Sequence, residues 1–394
     1  MEQVYKINQI VINDTQSQFC IAYNNGIKNF STEDFKEKYN SGLLGSITIV
    51  SLIHELNMVV FVGSENNELY NNKKIVIFDL INQKNIYSTS FQNEIKSLKV
   101  VSKYLIIGFQ TELKIFSLEK KDNIIPIKEI ALPESDSFEV WEKSSNDIIS
   151  ITKTYLIYPF QEEICITSFI GNEWNLEKKK DIKMPSKKIQ NFFYVKKLNQ
   201  LFVPDETAYY IYGIDPEEGK QKLCLYRGRN PGVITSVTLL NKNYLALNNL
   251  NRSIYIFDIS NDNKGYNFSS LIGGFFYGDY ISPFMKIQHN IIVSEKEGQF
   301  YEGDFLKKGA ILASEEDGIE LKVIAYNGYA YKLRINFLKK NFDLLTKEKF
   351  AVYKIDQNNE VLNEDIDSSL FNSYNSIFEK EKKNKDEQNF GIYH

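Results

Sequence analysis

Short runs of about six residues, in which apolar or aromatic side chains alternate with polar ones, recur along the chain and often close on an acid or a serine. They read GIKNF at 26–30, KIVIFD at 74–79, LKIFS at 113–117, ICIT at 164–167, YIYGI at 210–214, SIYIFD at 253–258 and YAYKL at 329–333. Most neighbours are spaced by roughly 40 to 50 residues, the period of one four-stranded propeller blade. A second apolar run precedes the phrase, as in NMVVFV at 57–62 and YLII at 104–107. Alternation with period two predicts strands, so the repeating unit reads as strand, turn, strand. Seven such units predict an all-β, seven-bladed, WD40-like β-propeller over residues 1–357. A single blade cannot bury its own faces, which makes the ring the stable unit and the whole a single domain. The last spacing is longer, and its excess falls in 260–280, which predicts an enlarged inter-strand loop there.

The pattern stops after about Tyr353, and residues 358–394 are expected to form a short helical or disordered tail. Leu370, Phe371, Tyr374, Ile377 and Phe378 recur at helical spacing behind Asp367 and Ser368, which suits a capped amphipathic helix docked on the propeller or on a partner. The mixed-charge run at 379–387 reads as solvated.

Composition agrees with strands, since Phe and Tyr number 27 and 25 while Pro numbers only 8. The net charge of −4 argues against whole-molecule affinity for nucleic acid, leaving room for a local basic patch. No apolar stretch reaches the roughly 20 residues that a helical membrane span needs, and the first residues lack the pattern of a signal peptide. A soluble, cytoplasmic chain is expected. Cys20, Cys165 and Cys224 are odd in number and far apart, so reduced thiols are expected rather than a disulfide framework. The acceptor patterns at Asn13 and Asn29 read as chance in an Asn-rich chain. With three histidines, no paired-Cys or HExxH ligand pattern and no glycine-rich phosphate loop, no metal, cofactor or catalytic residue is expected. The chain is read as a binding protein and not an enzyme.

Two stretches go beyond a generic propeller. From Val59 to Ser117 come VVFVG, NNKKIVIFD, FQNEIKSL and LKIF; later comes LYRGRNPG at 225–232, followed by ITSV and a strand ending in Ile256-Phe257. Their order and spacing resemble the PROPPIN family of phosphoinositide-binding propellers. In that family a Phe-Arg-Arg-Gly signature places two adjacent arginines on opposite sides of one strand, each anchoring a rim pocket for a 3-phosphorylated inositol headgroup. Here the first arginine position holds Tyr226 and the second holds Arg227. The resemblance implies a headgroup site anchored by Arg227, with Arg229, Arg252, Ser253 and Asn249 as helpers. Asn248, Asn249, Ser253 and Tyr255 fall where the family carries a Ser/Thr pair and a His. Another family His falls near 184–186. Arg227 reads equally as a structural arginine between blades, and Tyr226 as a cross-strand aromatic filling the vacated place.

The family's membrane-inserting loop corresponds to residues from Ser260 to about Tyr277, where Lys264, Tyr266 and Phe268 are the expected insertion residues; 271–277 reads as the next strand. The resemblance implies a scaffold recruited through phosphatidylinositol 3-phosphate or its 3,5-bisphosphate to endosomal, vacuolar or autophagic membranes, with autophagy-type protein partners. The alternative is a degenerate propeller that binds proteins in a larger assembly without binding lipid.

Overall fold

The structure, a computed structural model, describes residues 7–350 apart from the segments 54–56, 121–122, 132–138, 144–152, 161–162, 171–179, 184–190, 251–252, 261–279, 289–309 and 315–318 and the single positions 14, 43, 68, 102, 217, 229, 231 and 327. The expected tail helix and the residues Arg229, Arg252, Lys264, Tyr266 and Phe268 lie outside the described residues. So do 184–186 and the strand expected at 271–277. The described residues all fall within one compact unit, Met1–Tyr353.

The described strands form seven four-stranded antiparallel sheets, numbered here in chain order as sheets 1 to 7 (7–42, 47–90, 97–131, 139–183, 193–226, 234–288 and 310–349). Each sheet runs through its four strands in sequence order, and its first strand lies against the first strands of the neighbouring sheets. The first strand of sheet 7, Ala310–Ser314, also touches that of sheet 1, Ile7–Ile12. The result is a closed, all-β propeller.

Burial explains why the recurring phrases are legible. Second and third strands are covered on both faces by adjacent sheets, so Met58–Gly63 and Tyr104–Gly108 are buried throughout. Fourth strands form the outer edge and read as polar, as in Lys84–Ser90 and Asn341–Lys349. The acid or serine at the end of a phrase has a local function: it caps the turn into the fourth strand. Asp79 accepts the backbone N–H groups of Ile81 and Asn82, each at 2.9 Å. Asp258 accepts from the Ser260 N–H at 3.0 Å, and Asp215 accepts from the Glu218 N–H at 3.0 Å. Ser31 accepts from Glu33 in the same way, while Ser117 accepts from Glu119 at a register irregularity within its own strand. These side chains replace water on turn amides that no ladder strand reaches. Hydrogen bonds from Asn82, backbone first, hold the Asp79 carboxyl below its usual range.

Among the described strands none is exchanged at the closure, since sheet 1 and sheet 7 are each built from consecutive strands. Side chains make the seam. Ile7, Ile10, Phe19, Phe30 and Phe35 from one side pack with Ile324, Tyr326, Ala330 and Phe350 from the other. The Phe350 ring sits 5.7 Å from Phe19 and 5.8 Å from Phe30, centroid to centroid. The Ile10 N–H donates to the Tyr326 hydroxyl at 3.0 Å, and the Ser314 N–H donates to Gln16 Oε1 at 2.7 Å.

Burial pushes the Tyr326 hydroxyl up to about 12 from an ordinary 10.0, against the opposing effect of the Ile10 hydrogen bond. Because the folded value is raised, this group's contribution to stability is complete below pH 10 and is lost as pH rises toward 12. Tyr326→Phe should cost about 1–3 kcal/mol at neutral pH, since it strands the Ile10 N–H. It should also flatten the fall in stability between pH 10 and 12, which urea titrations across that range would measure.

Candidate functional site

The outermost strand of sheet 5, Lys220–Tyr226, carries the divergent signature, and alternation sends its last side chains to opposite sides. Leu225 is fully buried among Ile234, Leu245, Leu247, Tyr255 and Phe257 at the junction of sheets 5 and 6. Arg227, two residues on, turns to the same junction, with its guanidinium 5.5 Å from the centre of the Tyr255 ring. Tyr226 lies on the other face. It pairs in register with Tyr210, with ring centroids 5.1 Å apart, and meets the Tyr280 ring edge-on at 5.2 Å. Tyr210 stacks in turn with Tyr212, which packs against Ile157, Phe192, Leu201 and Val203 at the junction of sheets 4 and 5.

The face of Tyr226 is therefore aromatic and half-buried. Burial, and then the neighbouring Tyr226, raises the Tyr210 hydroxyl above its usual range. Burial and the Asp205 carboxylate push the Cys224 thiol up to about 11. Neutral phenols and a neutral thiol offer hydrogen bonds but no positive charge to a phosphate.

The face of Arg227 differs. Arg227 is only 5 % exposed, and its Nε donates to the Ala208 carbonyl at 2.7 Å. Nη2 reaches the carbonyls of Asn230 and, at 3.5 Å, Thr207, while Nη1 has a 3.5 Å contact with the Tyr255 hydroxyl. These described partners are three carbonyls and a phenol, with no carboxylate among them. The turn that offers the carbonyls is organised by Asp205, which accepts the Tyr209 N–H at 2.8 Å and the Thr207 hydroxyl at 3.2 Å. Burial raises the Asp205 carboxyl above its usual range despite those bonds.

Asn249 and Ser253, both buried, are paired across the second and third strands of sheet 6. Ser253 and Tyr255 are two residues apart on one strand and so share the face toward Arg227. The segment leaving Arg227 passes close beside them: a Cβ on Gly232 would lie 2.4 Å from Asn249 Nδ2, so the approach has no room for a side chain. Asn248 donates to the Thr235 hydroxyl at 2.7 Å.

Two features carry no mark in the sequence motifs. Lys286 pairs in register with Tyr255 and holds its ammonium 5.5 Å from the same ring, so two cations flank one tyrosine. Ile281 forms a parallel bridge with Leu225, accepting from the Tyr226 N–H at 2.9 Å and donating to the Cys224 carbonyl at 2.8 Å. The chain returning from 261–279 is thus clipped to the edge of sheet 5, beside the Tyr226-Arg227 pair. Pairing of Tyr255 with Lys286 depends on the position of a fourth strand, Met285–Gln288, that lies far from its third strand in sequence.

Among the described residues no group of three His, Cys, Asp or Glu side chains could hold a metal ion, and no helix is long and apolar enough to cross a membrane.

No family model matches the chain. Among solved structures it is similar to Hsv2 of Kluyveromyces lactis, at 13% identity and a TM-score of 0.65 over 88% of this chain and 99% of that one. The fold is the one these Hsv2 propellers share. Hsv2 of Kluyveromyces marxianus matches at 12% identity and a TM-score of 0.63, covering 88% of this chain and 100% of that one. KlAtg21, in a complex with the coiled coil of AgAtg16, matches at 12% identity and a TM-score of 0.58 over 88% and 99% of the two chains. Hsv2 and Atg21 are propellers of the PROPPIN family that the motifs at 59–117 and 225–232 resemble.

Proposed function

We propose that this propeller is a membrane-recruited scaffold that binds a 3-phosphorylated inositol headgroup at one rim site, the junction of sheets 5 and 6, and binds protein partners through its other sheets. The observation that carries this reading is the two-sidedness of the Tyr226-Arg227 pair. The Arg227 side offers a guanidinium with no described carboxylate partner, together with Lys286, Ser253 and Asn249. The Tyr226 side offers a row of tyrosines. Guanidinium and ammonium groups suit phosphate oxygens, and a hydroxyl and a carboxamide supply neutral donors beside them. Arg229 and Arg252 would add charge to the same site, and Lys264, Tyr266 and Phe268 would enter the lipid. The chain acts by binding, without catalysis, peripherally on endosomal, vacuolar or autophagic membranes. The coiled coil bound to KlAtg21 supports a protein partner of that kind here.

A second reading, a protein platform without lipid binding, is favoured by the burial of Arg227 and by its bonds to backbone carbonyls. Flotation with vesicles that contain or lack phosphatidylinositol 3-phosphate or the 3,5-bisphosphate separates the two. Headgroup-dependent flotation is expected for the native chain, and none above background would leave only the platform. Tyr226→Arg should strengthen headgroup-dependent flotation by about tenfold, since a phosphate contact by a charged donor is worth about 1.5–3 kcal/mol before the lost tyrosine stacking is subtracted.

A further inference from the structure

The surface on either side of the junction between sheets 6 and 7 carries a feature that the headgroup site does not use. The last hairpin of sheet 7 joins the strands Tyr329–Asn336 and Asn341–Lys349 through residues 337–340. At its tip Leu338 is 98 % exposed, the most exposed large apolar side chain among the described residues. Lys339 and Lys340 follow it directly, both exposed, and Lys242 is exposed in the turn of sheet 6 that precedes Tyr244.

The tip stands on a firm base. The Phe337 ring stacks on Tyr244 with centroids 3.9 Å apart and planes at 16°, and Phe284 closes the group at 5.4 Å from Tyr244. Lys340 holds its ammonium 4.7 Å above the Phe284 ring, and the Lys339 N–H donates to Asn336 Oδ1 at 3.0 Å. The aromatic base fixes the direction of the hairpin and leaves Leu338 projecting. Among the described acids of this end, Asp258 accepts from Ser260, and Glu320 pairs with Arg334 at 3.0 Å and with Lys332 at 3.6 Å.

We propose that this hairpin tip is a membrane contact for anionic lipid surfaces, in which Leu338 enters the acyl boundary while Lys339, Lys340 and Lys242 meet the lipid phosphates. A protruding tip with one bare apolar side chain followed directly by two exposed lysines suits a lipid surface. Lysine stems can lie along the apolar boundary with their charges in the headgroup layer. On a protein of net charge −4, a local group of three lysines is the complement of an anionic bilayer rather than a reflection of overall charge. The contact does not depend on Arg227 and would act alongside a headgroup site or without one.

The test uses vesicles of phosphatidylcholine with phosphatidylserine and no phosphoinositide. The native chain should float with them at low salt and release in 0.5 M salt, at about which strength surface charges are screened. The double variant Lys339→Glu, Lys340→Glu should bind at least about tenfold more weakly, as each lysine near an anionic surface contributes about fivefold. Leu338→Asp should weaken binding by about tenfold with an unchanged melting temperature, because the native side chain touches nothing that folding needs. The proposal is overturned if the native chain does not float or if Leu338→Asp floats equally well. A native dimer in light scattering that Leu338→Asp converts to monomer would equally overturn it and would make the tip a protein interface.

Discussion

Phe350→Ala is expected to lower the free energy of unfolding by about 3–5 kcal/mol, the usual cost of removing a buried phenylalanine where the site cannot collapse around the void. The site is rigid for a structural reason. Phe350 follows the last strand of sheet 7, its N–H donates to the Gly328 carbonyl at 2.9 Å, and its ring is wedged against Phe19 and Phe30 of sheet 1. With no described strand shared between the first and last sheets, the described links across the seam are side-chain packing and the bonds to Tyr326 and Gln16. Loss at this seam should therefore differ in kind from an equal loss elsewhere. Hydrogen exchange of the Ile10 and Ile324 amides should accelerate in Phe350→Ala more than exchange in Val59–Phe61 of sheet 2, which lies on the side of sheet 1 away from the seam. A control truncation at Phe109, buried between sheets 2 and 3, should destabilise without that local acceleration. Uniform acceleration in both variants would mean that the seam opens only with the whole ring.

The strand repeat was readable because position in the ring dictates composition. A third strand has sheets against both faces and a turn directly after it, so KIVIFD and SIYIFD are apolar runs that end on a capping acid. All seven phrases fall on the third strands of their sheets, and the preceding runs at 57–62 and 104–107 fall on second strands. First and fourth strands left weaker traces. A fourth strand such as Lys84–Ser90 is an exposed edge whose side chains answer to water, and Phe193–Val195 is only three residues long.

At the site, the signature gave the placement of Arg227 and the substitution at Tyr226, because strand alternation alone separates their faces. It could not give the partners of Arg227. Carbonyls of Thr207 and Ala208 are backbone groups without a sequence mark, and Lys286 reaches Tyr255 only through the pairing of two strands separated by the long connection in sheet 6. The clip at Ile281 is likewise a backbone pairing between sheets.

Arg227→Ala should cost about 3–5 kcal/mol of stability, because it leaves buried carbonyls without donors and removes the cation from the face of Tyr255. Arg227→Lys should recover only part of that. A single ammonium cannot span the Ala208, Thr207 and Asn230 carbonyls as the planar guanidinium does. Loss of flotation in either variant is therefore ambiguous, since a loosened 227–232 segment would also disturb Asn249 and Ser253. The native chain resolves this without mutation. A soluble headgroup, inositol 1,3-bisphosphate, held at a hundredfold excess over its dissociation constant stabilises the folded state by about 2.7 kcal/mol, and the melting temperature should rise with concentration accordingly. Tyr226→Arg should raise the melting temperature further at equal ligand. Added salt should diminish the rise, since contacts to phosphate are screened where apolar contacts are not. A melting temperature indifferent to the ligand, in a chain that Arg227→Ala nonetheless destabilises, would make Arg227 a strut between sheets 5 and 6 and would assign the rim to protein partners.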